Sequence, residues 1–231
     1  MFAILAAGDS LLGITLVGGK GGASLAVPMQ ITILMTLLAL LPAAVMSLTP
    51  FLRISIVLHF LRQALGTQSA PSNQVLVGLS LFLSMLIVSP VMTQIHSDAW
   101  LPLEQGAITQ DQAMEKAGKH LRGFLVKYAR EKDVKLFLEV THAPAPHTAD
   151  DIELKVLIPA YIISELKTGF QIGAVLFLPF LVIDIVVASV TLSIGMVQLP
   201  PVMLSAPFKI LLFVLVDGWN LLIGSLIKSF Y

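Results

Sequence analysis

The chain has 231 residues, 56% of them hydrophobic and 12% charged, with a formal net charge of zero and a mean hydropathy of +0.90. A soluble domain carries about 25% charged residues, so this chain reads as an integral membrane protein, and its even charge leaves no bulk field to recruit nucleic acid. The absence of cysteine excludes a disulfide scaffold, thiolate catalysis and a Cys-ligated metal.

Residues 1–30 read as a flexible arm, because Gly18, Gly19, Gly21 and Gly22 disfavour a regular helix. The opening run MFAILAAGDSLLG has no basic residue before it, unlike a secretory signal. The first uncharged span is Ile31–Leu48, interrupted only by Pro42, and Thr49-Pro50 marks its boundary. FLRISIVLHFLRQALG follows, with Arg53 and Arg62 on opposite sides of a helical wheel. One of them must leave any apolar face, so this segment is an interfacial helix or is packed inside a protein assembly. Gly66 is the expected helix stop. A second uncharged span covers Val75–Ile95, where Ser80 and Ser84 admit a close helix neighbour. Residues 31–96 thus form a first hydrophobic helical pair.

Residues 97–153 are the only long hydrophilic stretch, with 7 Lys/Arg against 10 Asp/Glu from Ser97 to Glu153. Thr109 and Gln112 have capping-box spacing. Met114, Ala117, Leu121, Leu125 and Tyr128 then recur every three or four residues, which predicts an amphipathic helix buried on that face. A shorter helix is expected over Asp133–Val140, and THAPAPHTADD reads as a loop.

Residues 154–231 form a second hydrophobic pair. From Phe170 to Met203 the one charge is Asp184, and the run exceeds the roughly 20 residues that one crossing needs. It breaks itself at Gly195 and at Pro200-Pro201. A last span runs from Ile210 to Ile227 and contains Asp217. The expected fold class is therefore an all-α integral membrane protein with four hydrophobic regions in two hairpin-like pairs around a small helical insert. Placing Arg53, Arg62 and Lys209 on the cytoplasmic side puts the insert outside it.

Asp184 and Asp217 are carboxylates in apolar spans, each expensive at membrane depth unless it faces protein or water. They read as hydrogen-bonded or ion-paired anchors between helices, with a proton relay as the other reading. Glu165, Lys167 and Lys209 read as interfacial charges or as buried pairs between subunits, and Gly169 and Gly173 as a small-xxx-small contact beside them. The stretch from Gly195 to Pro201 reads as a surface turn or as a loop facing a pore, since non-helical backbone is kept from lipid. Of the five histidines only His142 and His147 are neighbours, in a loop, and read as solvated rather than metal-binding. There is no HExxH, no GxSxG and no P-loop. No catalytic group, metal or cofactor site is expected. A small secondary transporter with coupling acids would require inverted repeats, and none is visible.

The motifs RQALGTQ, ELKT-FQIG, LPFLVID and VLVDGW, set in long matching stretches across residues 31–231, closely resemble the FliP family of flagellar export-gate subunits. The flagellar branch is nearer than the injectisome branch. The resemblance implies several copies of this chain assembled with FliQ-like and FliR-like membrane subunits, in contact with other export-apparatus membrane proteins and the basal-body ring. It implies passage of unfolded flagellar subunits at the inner membrane, with a periplasmic insert and helices that need not all cross the bilayer. It implies a pore-constricting loop at Met196, Val197 and Gln198, where the family carries several methionines and this chain has one.

Overall fold

The computed structural model describes residues 27–67, 69–144, 146, 148–195 and 200–231. Every regular element among them is helical. The chain divides into two units, residues 1–44 and residues 45–231. In the first, the described residues belong to α1 (Val27–Leu48), which starts earlier than the expected span and keeps Pro42 inside the helix. Its threonines cost little in an apolar setting: the Thr32 and Thr36 hydroxyls donate to the carbonyls of Pro28 and Thr32, both at 2.8 Å. The remainder of the expected arm, residues 1–26, lies outside the described residues.

The second unit is built around α2 (Phe51–Ala64). It begins directly after Thr49-Pro50, and Gly66, at φ +74°, follows its end. Rather than lying at an interface with water, α2 is at the centre of this unit. Ile54, Val57, Leu58, Leu61 and Ala64 are fully buried, in one cluster with Leu76, Leu83 and Ile87 of α3 (Asn73–Ile95) and Phe180 of α7 (Leu154–Ser193). Arg53 is buried, whereas Arg62 lies toward the surface and donates to Asn73 Oδ1 at 2.9 Å.

Helix α3 does not stop at the expected edge of the insert. It passes through a π turn, His96–Trp100, into α4 (Leu101–Glu104), making one helical run of 32 residues. The widened turn shifts the hydrogen-bond register just before Pro102, which has no N–H to give. The run ends in a Schellman motif: the Gly106 N–H donates to Leu103 O and the Ala107 N–H to Pro102 O, with Gly106 at φ +68°.

The insert then folds as α5 (Gln110–Tyr128) and α6 (Glu131–Val140), with a 3-10 turn at Ala149–Asp151. The capping box forms in both directions, between Thr109 Oγ1 and the Gln112 N–H at 3.4 Å and between the Thr109 N–H and Gln112 Oε1 at 3.0 Å. The buried face of α5 is centred on Ala113, Phe124 and Leu125. Met114, expected on it, is 68% exposed, because the stripe advances through residue 113 rather than 114. Phe124 and Leu125 make a second core with Val134, Val156, Leu157, Ala160 and Tyr161, so the insert packs on the first half of α7.

Helix α7 has 40 residues, about 60 Å at 1.5 Å per residue. Gly169 and Gly173 lie where α2 crosses it. A Cβ at Gly169 would meet the Arg53 backbone and Ile56 at 3.3 Å, and one at Gly173 would meet the Phe60 ring at 2.6 Å. The small-residue contact is therefore made inside one chain. Beyond Gly195, at φ +78°, the chain re-enters helix as α8 (Pro201–Leu215) and α9 (Gly218–Lys228). The expected single last span is two helices bent by 67°. Asp217 occupies the corner in left-handed backbone, φ 52° and ψ 49°, which Asp tolerates better than most residues. Next to it, a Cβ on Gly218 would strike the Phe213 ring at 2.3 Å.

Three helical runs, Ile31–Leu48, Asn73–Glu104 and Leu154–Ser193, are long and apolar enough to cross a membrane, and the bent α8–α9 pair would make a fourth. Replacing Gly173 by Ala should destabilise the protein by about 1–3 kcal/mol, since the Phe60 ring has to move. Gly118→Ala in α5, where the new methyl meets nothing within 4 Å, should stabilise it by about 0.5–1 kcal/mol through helix propensity. Thermal unfolding of the two variants in one detergent gives the opposite shifts expected.

Candidate functional site: buried charges and the broken helix

Three polar clusters hold the apolar helices in register. The first is Arg53 and Glu165. Arg53 Nη2 donates to Glu165 Oε1, and the two residues are 4% and 0% exposed. Arg53 Nη1 donates to Ser229 Oγ at 3.1 Å, and its Cζ stands 3.9 Å from the centre of the Phe230 ring. Glu165, expected as an interface charge, thus meets its cation within the chain. Lys167, two residues on, is exposed.

The second cluster joins α7 to α8. Lys209 Nζ donates to Asp184 Oδ2 at 2.6 Å, and the Ser205 hydroxyl donates to Asp184 Oδ1. Lys209 is 1% exposed. Asp184 is therefore ion-paired between two helices, one on each side of the break at Gly195–Pro201. That break is framed by a Gly195 N–H donating to Leu192 O at 3.1 Å and a Met203 N–H donating to Pro200 O at 3.0 Å. Met196, Val197 and Gln198 lie outside the described residues. Asp217 is exposed at the α8–α9 corner and accepts a hydrogen bond from Asn220 Nδ2 at 3.2 Å.

The third cluster, which spacing did not reveal, ties the insert to α7. The Ser164 hydroxyl lies 2.6 Å from Asp133 Oδ2, Arg130 Nη2 reaches the same oxygen at 2.6 Å, and the Arg130 N–H donates to Ser164 Oγ at 2.9 Å. Burial works to raise the Asp133 carboxyl. The hydrogen bonds from Ser164 and Arg130, with the charges of Arg130 and Lys167, outweigh it and hold the group below the usual carboxylate range. Nothing in the α5–α6 sequence marks Asp133 as different from its exposed acidic neighbours. Its partner sits 31 residues away on another helix.

Among the described residues no group of His, Asp and Glu could hold a metal ion. Long apolar helices carrying Asp184, a Gly…Pro-Pro break between them, and a polar helical insert now stand together on one chain. The family model described as "FliP family" matches residues 34–226, which spans α2 to α8 and most of α9. The chain belongs to the FliP family. It is 48% identical over 212 residues to the flagellar biosynthetic protein FliP of Pectobacterium carotovorum, covering 92% of this chain and 82% of that protein. It is 49% identical over 201 residues to FliP of Bacillus subtilis, covering 87% and 91%. FliP of Treponema pallidum is 45% identical over 203 residues, covering 87% and 75%. A FliP-family match through both hydrophobic pairs does not favour the secondary-transporter reading.

Two measurements check the clusters. Glu165→Leu leaves the Arg53 charge buried alone and should cost about 3–5 kcal/mol, whereas Arg53→Met with Glu165→Leu should recover most of that loss. Denaturant unfolding of the two single variants and the double variant reads the coupling. For Asp133 the folded value is depressed below the unfolded one of about 3.9. Its contribution is then complete above about pH 4 and is lost as pH falls further, through the depressed folded value. Asp133→Asn should lower stability at pH 7 and flatten the acid limb of a melting-temperature profile.

Proposed function

We propose that this chain is a core pore-forming subunit of the flagellar protein export gate and nucleates the assembly of that gate. In this reading it sits in the inner membrane with its insert on the periplasmic side. Several copies assemble with FliQ-like and FliR-like subunits, within reach of the other export-apparatus membrane proteins and the basal-body ring. Unfolded flagellar subunits pass through the pore, and the chain catalyses no reaction itself.

The observation that carries the reading is the broken helix between α7 and α8 in a FliP-family chain. Two apolar helices flank it, and the Asp184–Ser205–Lys209 cluster locks them together. Backbone that leaves the helix at Gly195 and re-enters it after Pro200 must be kept from lipid, and copies set around one axis would bring these breaks together. Exposed apolar side chains along the same helices, among them Val175, Leu178 and Val182 of α7 and Phe208, Leu211 and Leu215 of α8, require cover by lipid or by neighbouring subunits.

Met196 and Val197 supply the apolar part of the constriction, which excludes ions by dewetting, and Gln198 is its one polar member. Replacing Met196 and Val197 together by Ala should raise the conductance of the closed, purified complex in planar bilayers while assembly persists. Unchanged conductance in an intact double-Ala complex would move the gate elsewhere.

A further inference from the structure

The segment after α9, Ser229-Phe230, lies against α2 and α5 at once. Phe230 is 2% exposed although it follows the last helix. Its ring stands 3.9 Å from Arg53 Cζ and 5.3 Å from the Tyr128 ring in an edge-to-face arrangement. Its carbonyl accepts from the Tyr128 hydroxyl and, at 3.4 Å, from Lys127 Nζ. Ser229 Oγ accepts from Arg53 Nη1. Every one of these contacts bridges more than a hundred residues of sequence.

The ion pair beneath this segment is only partly satisfied by protein. Arg53 Nε, Glu165 Oε2 and the Tyr161 hydroxyl are buried without a protein hydrogen-bond partner. Tyr161 and Glu165 are both fully buried and stand one turn apart on α7. Polar atoms in this condition favour water whenever water can reach them. The face of an aromatic ring is the one apolar surface that also attracts a guanidinium. A Phe over Arg53 therefore both shuts water out and keeps the cation turned toward Glu165.

We propose that Ser229-Phe230 is a strap that closes the Arg53–Glu165 pair from water and ties the end of α9 to the polar insert through Tyr128 and Lys127. When the strap lifts, the pair hydrates and the α2–α7 crossing at Gly169 loosens locally, while the α6–α7 junction built on Asp133 and Ser164 stays closed. The strap is a positioning element, independent of where the export constriction lies.

Hydrogen exchange of the full chain in its purified complex tests this. Phe230→Ala should raise amide exchange at least tenfold in residues 51–58 and 165–172 and change residues 131–140 by less than twofold. Phe230→Tyr, which keeps the ring face, should restore protection. A uniform rise across all three segments, or no rise in the first two, would overturn the strap. Should Phe230→Ala not be recovered folded, Ser229→Ala removes only the hydroxyl that Arg53 uses. It should raise exchange about threefold in the same two segments, and a flat profile there would overturn the proposal equally.

Discussion

One crossing governs the second unit: α2 against α7, with Arg53 and Glu165 in contact where Gly169 lets the backbones close up. Neither part works without the other. A buried ion pair recovers its desolvation only at hydrogen-bonding range, and that range is reached because no side chain stands at 169 or 173. The glycines in turn seat Ile56 and Phe60 of α2 on α7, and the pair pins that seam in register. Each remaining helix takes its place from this crossing. Helix α3 covers α2 on one side, the insert covers the first half of α7, and α9 returns to shut the open edge.

The arrangement of polar groups follows a pattern. Each ion pair is placed where helices meet, and one member of each holds a hydroxyl as well as its counter-charge: Arg53 holds Glu165 and Ser229, Asp184 holds Lys209 and Ser205, and Asp133 holds Arg130 and Ser164. Apolar helices slide on one another with little penalty because one Leu contact resembles the next. Ion pairs and charged hydrogen bonds do not slide, since a shift of one residue leaves a charge unmatched. In a protein this poor in charge, the few that are buried fix the register.

Much of this was legible in the sequence, for reasons that can be named. The spans at Ile31 and Val75, the capping box at Thr109 and the stops at Gly66 and Gly195 are local signals, readable within a turn or two. The continuation of α3 through Asp98 to Glu104 was not, because polar residues argued for a boundary while nothing in them stops a helix. The break at Asp217 was hidden by hydropathy, which does not register that Phe213 needs the space beside Gly218. Pairing was the least legible. Arg53, Arg62, Lys167 and Lys209 could each have met Glu165, Asp184 or Asp217, and only the fold decides among them. Glu165 and Lys209 looked like complementary charges awaiting a second copy, yet each has its partner at home.

The length of α7 has a mechanical consequence. A hydrocarbon core is about 30 Å thick, and α7 is about twice that. Its first half is fastened to the insert through Ser164 and its second half to α8 through Asp184. The two ties are about 30 Å apart along the helix, with the α2 crossing at Gly169 and Gly173 between them. One helix thus sets the spacing between the insert and the α7–α8 break at about one hydrocarbon thickness.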